Sequence, residues 1–315
     1  CALPILEQAL QSVCDSCQQA NWKQLIDANY YVFIGAELPI ADKEKILRYA
    51  RSTKKQIFFV PTLYELACKN TGFLLVDDIP MQRVTRMLLT AEQRVLKRIL
   101  DIAVAVTALI ILSPVILITA VMIKLDSKGP VLYSQERVGL YGKTFFVHKF
   151  RSMKVDADKG GKGIVTMQND DRITPVGKVI RAARLDELPQ LINILKGDMS
   201  IVGPRPERKC LADEISKEIP EFCYRLKVRG GLTGYAQIYG KYNTSAYDKL
   251  RLDMMYIENY SPLLDIRLII LTLRIIFSKD STEGIDVAME NQRRADELWR
   301  ELDEENEEKE KGGAE

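Results

Sequence analysis

IAVAVTALIILSPVILITAVMI, residues Ile102 to Ile123, holds no charged side chain in 22 positions, and its reading decides the architecture around it. At 1.5 Å per residue such a run makes a helix of about 33 Å, enough to cross the roughly 30 Å hydrocarbon core of a bilayer. Ser113 and Pro114 stand at its middle. A central proline removes one main-chain hydrogen bond and clashes with the preceding turn, inviting a bend. Each half would then reach about 15 Å, half of that core. Basic residues flank both ends: Arg83, Arg86, Arg94, Lys97 and Arg98 before the run, and Lys124, Lys128, Arg137 and Lys143 after it. Positive flanks mark the cytoplasmic side. The expectation is a re-entrant hairpin that enters and leaves on one face, with a kinked single span as the alternative.

Upstream, from Tyr30, the pattern alternates: strand (YYVFIGA), helix (Asp42 to Ala50), strand (QIFFV), then a further helix after Pro61 and FLLVDD. Short units of this kind predict an α/β domain. No G-x-G-x-x-G accompanies the turns, so a dinucleotide site has little support and a role in packing or regulation is preferred. Downstream, SPLLDIRLIILTLRIIF (Ser261 to Phe277) is apolar except for Asp265, Arg267 and Arg274. The two arginines are seven apart and share a helix face, which suits either a helix lying among lipid headgroups or an ordinary buried one. Beyond Glu283 the chain becomes highly charged, predicting a solvated helix that frays into a tail.

The whole chain sets outer bounds. Its 315 residues are enough for two domains, and 47% hydrophobic with 28% charged residues is the composition of a folded protein. Forty-five basic against 43 acidic residues leave a charge of +2. No global field recruits nucleic acid, so an electrostatic partner must be met locally. Six cysteines, at 1, 14, 17, 68, 210 and 223, are too sparse for a disulfide framework and are read as reduced thiols. Cys14 and Cys17 form a C-x-x-C, but no second pair follows and His148 is the only histidine, so a zinc site lacks ligands. The chain opens on Cys1 with no signal peptide, as expected of a piece of a longer protein.

The chemistry concentrates in RLDELPQLINILKGDMSIVGPRPERK, Arg184 to Lys209. Leu188, Leu191, Ile192 and Leu195 recur at helical spacing before Gly197, which predicts an amphipathic helix with Asp186 and Glu187 at its N-terminus. Alone, the acidic pair would be read as a helix cap. Nearby cations change that reading. Lys149 and Arg151 are two apart in a predicted strand, FFVHKFRSM, and so share a face. Arg205 lies between Pro204 and Pro206, whose fixed φ angles limit what it loses on binding a phosphate, and Arg181 and Arg184 add charge. Two carboxylates among many cations suit a phosphorylated substrate with Mg²⁺ bridging carboxylate and phosphate oxygens.

At these residues the chain resembles the bacterial sugar transferases, monotopic phosphoglycosyl transferases that move a sugar phosphate onto a polyprenyl phosphate. The resemblance runs from about Lys97 to Phe277. It rests on KRILD, the Ser113-Pro114 break, GPVLYSQERVG, HKFRSM, RLDELPQLINILKGDMSIVGPRP, GLTGYAQI and LDMMYIENYS. One departure is Gly230, where the family usually has proline, which loosens that loop. The resemblance implies a Rossmann-like cytoplasmic α/β domain over 1–80, which is partial here and in large members follows transmembrane helices. It also implies a linker over 81–95, a re-entrant membrane hairpin over 96–126 bent at Ser113 and Pro114, a mainly helical α+β catalytic domain over 127–281, and a charged tail over 282–315.

The resemblance further implies that Asp186 is the nucleophile. Its carboxylate attacks the sugar-bearing phosphate of a UDP-sugar, expels UMP, and passes the phosphosugar to undecaprenyl phosphate to start exopolysaccharide, capsule or other glycan assembly. Glu187 holds Mg²⁺ or positions the acceptor, Asp186 also serves the metal, and Lys149, Arg151, Arg181 and Arg205 neutralise phosphate, with Arg229 in the loop that closes on the nucleotide. The implied setting is the cytoplasmic face of the bacterial inner membrane, with a homodimer suggested by large members. Two alternatives are carried. One is single-step transfer with the dyad as metal ligands; the other is a non-catalytic membrane scaffold. No side chains report on which sugar is moved.

Overall fold

The computed structural model describes residues 22–277 apart from 37, 54, 70–71, 84–87, 156–170 and 241–243. Cys14, Cys17 and the charged tail from 282 lie outside the described residues. The chain divides into two compact units, Cys1–Lys69 and Asn70–Glu315.

In the first unit, helix α1 (Trp22–Ala28) leads to β1 (Tyr31–Ile34), α2 (Ile40–Ser52), β2 (Gln56–Phe59) and α3 (Leu63–Ala67). Strands β1 and β2 pair in parallel from Tyr31↔Gln56 to Ile34↔Phe59. Ile46 and Ala50 of α2 pack on Ile26 and Ile34. Thr62 and Glu65 close a capping box that starts α3. The expected alternation therefore forms one βαβ unit among the described residues. FLLVDD does not extend it. It forms β3 (Gly72–Val76), paired antiparallel with β4 (Ile79–Arg83) in the second unit. The reason is the connection: Asp77 and Asp78 alone join the strands, Asp77 at φ 55°, and two residues can close a hairpin but not a parallel crossover. The described residues of the first unit thus show a two-stranded parallel sheet, which does not by itself establish a Rossmann-like domain.

The second unit is built on α4 (Ala91–Asp126), capped by Thr90 and Gln93. At about 1.5 Å per residue it runs roughly 54 Å along its path. Its first three turns are fastened to the rest of the unit by buried polar groups. Lys97 Nζ is 2.7 Å from Asp265 and donates to Tyr256 Oη at 2.9 Å. Asp101 Oδ1 accepts from Ser200 Oγ at 2.8 Å and from the Ile201 amide at 2.9 Å. Lys97 and Arg98, counted above as part of the basic flank, are therefore internal fastenings in the folded protein. Ala105 enters the main core with Leu191, Ile194, Met199, Val202, Tyr256 and Leu268. At the far end, Ile123 packs on Phe150 and Ile180 in a second cluster. Between these docked ends, Ile110, Ile111, Leu117 and Ile118 are 59–69% exposed.

Helical structure continues through Ser113 and Pro114, so they do not divide α4 into two separate helices. The local chemistry explains how. Pro114 has no N–H for the carbonyl of Ile110, four residues back, and Ser113 Oγ donates to that same oxygen at 2.9 Å. In hydrocarbon, where water cannot satisfy a carbonyl, this repair matters most.

The remaining chain wraps the dyad. Strands β5 (Leu132–Val138) and β6 (Thr144–Phe150) form an antiparallel hairpin; α5 (Pro175–Ala182), a 3₁₀ turn (Leu185–Glu187) and α6 (Gln190–Lys196) follow. Strand β7 (Ser200–Val202) pairs in parallel with β8 (Gly231–Thr233), with α7 (Lys209–Glu218) and a 3₁₀ stretch (Pro220–Lys227) between them. Helices α8 (Tyr235–Tyr239), α9 (Ala246–Glu258) and α10 (Pro262–Phe277) complete it. Gly231 is required at the strand pair, because a Cβ there would lie 2.1 Å from the Gly203 nitrogen. Helix α10 is buried on one side and exposed on the other. Asp265 and Leu268 are buried, while Leu263, Ile266, Ile270 and Leu273 lie on the exposed side with Arg267 and Arg274. Cys68, Cys210 and Cys223 are free thiols.

Candidate active site

Asp186 and Glu187 stand in the 3₁₀ turn between α5 and α6, entered through Arg184 in the left-handed conformation at φ 53°. The expected helix begins at Gln190, so the pair sits just ahead of it. The expected apolar face is also shifted. Leu191 is 3% exposed but Ile192 is 40% exposed, and Asn193 holds a core position at 1%. Asn193 Nδ2 donates to the Phe146 carbonyl at 2.7 Å, and its Oδ1 accepts from the His148 amide at 3.0 Å. A polar residue is tolerated there because both ends of its carboxamide are paired with the edge of β6.

Glu187 is clamped between two cations. Its Oε1 accepts from Lys149 Nζ at 3.0 Å and from Arg205 Nη2 at 2.5 Å. Burial alone would raise its pKa; the Arg205 and Lys149 charges outweigh this and hold it well below the usual carboxylate range. Asp186 is pushed the other way, first by burial and then by the charge of Glu187, with Lys149 and Arg181 opposing. Burial also lowers the Lys149 pKa, against the pull of Glu187. Neighbouring carboxylates in one turn are thus driven apart, a separation of roles that catalytic pairs use.

Asp186 lines a cavity of about 250 Å³ with Lys149, Arg151, Arg181, Arg137, Arg172 and Arg208. Arg205 instead lines a second cavity, of about 470 Å³, with Arg184, Glu207, Gln237, Lys249 and Asp253. The Glu187–Arg205 ion pair stands between groups of the two cavities. Arg205 itself is fixed from behind. Arg225 donates to its carbonyl at 2.8 Å while pairing with Asp253 at 2.8 Å, and Arg137 donates to the Pro206 carbonyl at 3.2 Å.

Two expected cations are engaged with main-chain carbonyls: Arg151, which still lines the Asp186 cavity, and Arg229, which does not. Arg151 Nη2 donates to the Ser127 carbonyl at 2.7 Å and to Ser127 Oγ at 2.9 Å, and Nη1 donates to the Lys128 carbonyl at 3.2 Å. Its guanidinium holds the C-terminal end of α4, where a cation complements the helix dipole. Arg229 donates through Nε to the Gly197 carbonyl at 2.8 Å and lines a third cavity that contains neither carboxylate of the dyad. Sequence reasoning missed Arg137, Arg172 and Arg208. For Arg137 a signal existed: Tyr133, Gln135 and Arg137 alternate along β5, and Tyr133 pairs with Lys149 in the register.

Of the acidic pair, Asp186 lines the cation-lined cavity while Glu187 Oε1 is held by Lys149 and Arg205. Mg²⁺ is usually held by one or two carboxylates with substrate phosphates completing the shell, a donor set this turn could offer only through these two side chains. Asp186 and Glu187 are the residues that would hold it.

A family model of the bacterial sugar transferases matches residues 92–279. The chain belongs to that family. Over 211 residues it is 42% identical to an Aeromonas hydrophila protein, a UDP-N-acetylgalactosamine-undecaprenyl-phosphate N-acetylgalactosaminephosphotransferase, covering 66% of this chain and 50% of the relative. It is 37% identical over 238 residues to an Escherichia coli K12 protein, a UDP-glucose:undecaprenyl-phosphate glucose-1-phosphate transferase, covering 73% of this chain and 50% of that one. A Caulobacter vibrioides protein of the same designation is 40% identical over 190 residues, 59% of this chain and 71% of the relative. The chain spans about half the length of the first two relatives.

Proposed function

We propose that this chain transfers a sugar phosphate from a UDP-sugar to polyprenyl phosphate in two steps through Asp186. One observation carries the reading: Asp186 faces a cavity rich in arginine and lysine while its neighbour Glu187 is locked in ion pairs. A carboxylate oxygen of Asp186 attacks the sugar-bearing phosphorus, the bond from that phosphorus to UMP breaks, and UMP leaves with the electron pair. An oxygen of the polyprenyl phosphate then attacks the same phosphorus. Polyprenyl diphosphate sugar forms and the Asp186 carboxylate is restored. Lys149 and Arg181 sit beside Asp186 and neutralise phosphate charge as it shifts between oxygens. Glu187, unavailable to attack, orients Lys149 and Arg205. Bound Mg²⁺ would supply further charge neutralisation at the phosphates.

The geometry of α4 supports placing this site at a membrane surface. Both ends of the helix place buried residues against the catalytic unit, while its apolar middle and one face of each end, with Ile99 and Leu125, are exposed. This supports reading α4 as a segment that dips into a leaflet and returns, bending at Ser113 and Pro114 without ending the helix. The basic flanks favour the cytoplasmic face of a bacterial inner membrane, where a soluble UDP-sugar and a buried isoprenoid meet. Starting a surface glycan is the consequent role. The relatives act on different sugars by their designations, so the sugar is left open.

The test is incubation of detergent-solubilised protein with UDP-sugar and Mg²⁺ without lipid. UMP release with a phosphosugar adduct on Asp186, both lost in Asp186→Asn, is the expected result. No adduct and no UMP until lipid is added would establish single-step transfer, and no UMP with any UDP-sugar would leave a scaffold.

A further inference from the structure

The third cavity, of about 180 Å³, lies apart from the dyad: its lining shares no residue with the cavity around Asp186. Leu88, Leu89, Leu140 and Val228 give it an apolar wall, and Arg94, Lys97, Lys227 and Arg229 bring four cations. Lys97 is neutralised by Asp265 at 2.7 Å. Among the described residues, Arg94, Lys227 and Arg229 have no carboxylate partner. Lys227 lies over the Tyr224 ring at 4.5 Å, and Arg229 spends only Nε on a carbonyl. Arg94 is exposed and Lys227 and Arg229 are half-buried, so the three bring unneutralised positive charge beside an apolar wall, a local field that favours an anion.

Depth along α4 indicates where that anion comes from. The uncharged run begins at Ile102, five residues beyond Lys97 and eight beyond Arg94. At 1.5 Å per residue these are about 7.5 and 12 Å outside the hydrocarbon edge, and the headgroup layer is about 5 to 8 Å thick. Lys97 therefore falls at the outer margin of the headgroup layer and Arg94 just beyond it, within side-chain reach of lipid phosphates from the water side. We propose that the cavity is a second anion site that binds the phosphate of an anionic phospholipid, with the apolar wall receiving the adjoining glycerol. The assignment rests on the placement of α4 and not on the reaction at Asp186.

The experiment is native mass spectrometry of the full chain released from neutral detergent micelles, with phosphatidylglycerol and phosphatidylcholine present in equal amounts. One phosphatidylglycerol should be retained in preference to phosphatidylcholine. The Arg94→Gln/Lys227→Gln double variant should bind it about thirtyfold more weakly, the effect of removing two basic residues near an anionic headgroup. Arg94→Lys/Lys227→Arg should keep it, which controls for folding, and Asp186→Asn should keep it because the sites are separate. Inorganic phosphate that displaces the lipid at matched concentration would confirm the anion site and assign it to free phosphate. Equal retention of the two lipids, unchanged retention in the double-glutamine variant, or displacement by UDP-sugar with loss in Asp186→Asn would overturn the proposal.

Discussion

Arg98, on the long apolar helix, donates to the main-chain carbonyl of Ile194 at 2.6 Å, and its second nitrogen reaches the Leu195 carbonyl at 2.7 Å. These are last-turn carbonyls of α6, the helix that follows the acidic pair, so one side chain ties the long apolar helix to the element next to Asp186. The two nitrogens satisfy oxygens that a helix end leaves open.

Lys97 and Asp265 form the deepest fastening beside it, at 6% and 1% side-chain exposure. Lys97→Met should destabilise the protein by about 3 to 5 kcal/mol, because it leaves a buried carboxylate unpaired. Lys97→Met/Asp265→Leu should recover much of that loss. Thermal unfolding in a fixed detergent reads both; a single variant as stable as wild type would remove the pair from the account.

Topology is testable with single cysteines at positions 95 and 128. Val95 and Lys128 are exposed and flank the apolar run. Neither should react with an impermeant thiol reagent applied outside intact cells, and both should react in inverted vesicles. Outside labelling of one alone would mean a spanning helix. Ser113→Ala should cost about 1 to 2 kcal/mol by orphaning the Ile110 carbonyl.

The acid limb of adduct formation should report Asp186. Its pKa lies above the ordinary aspartate value, through burial first and the Glu187 charge second. Adduct yield should therefore fall as pH drops through that raised value, since the protonated carboxyl does not attack. Glu187→Gln removes the like charge and frees Lys149 and Arg205, so the limb should move to lower pH even as the rate falls. A limb that stays in place would show that Asp186 is not the titrating group.

Arg205 should resist even a charge-conserving change. Lysine lacks the planar fork that grips a carboxylate or phosphate, so Arg205→Lys should lower turnover by about tenfold or more. Lys209→Arg, at the exposed start of α7 where Lys209 pairs with Asp213 at 2.9 Å, should stay near wild type. His148→Gln should also remain active, because His148 contributes its amide to Asn193 and its ring to Ser134 at 3.0 Å. Equal turnover in the two cation variants would reduce Arg205 to a turn former.

The chain's local chemistry was enough to mark the uncharged run, its Ser-Pro centre, the acidic pair and the Pro-Arg-Pro loop, because each is written in contiguous residues. The matched family segment, 92–279, covers all of them. Pairings between distant residues could not be read this way. Lys97 looked like one more flanking charge until Asp265, 168 positions away, lay against it, and Arg151 shared a predicted face with Lys149 until the end of α4 claimed its guanidinium. Asn193 broke an apolar pattern whose missing carboxamide partners lay 45 and 47 residues upstream. FLLVDD read as another strand of an α/β sheet, yet the two-residue turn after it sent it into a hairpin. Periodicity and residue type report which side chains prefer to be buried or charged. Which cation meets which carboxylate depends on desolvation shared between segments far apart in the chain, and only the packed structure brings them within bonding distance.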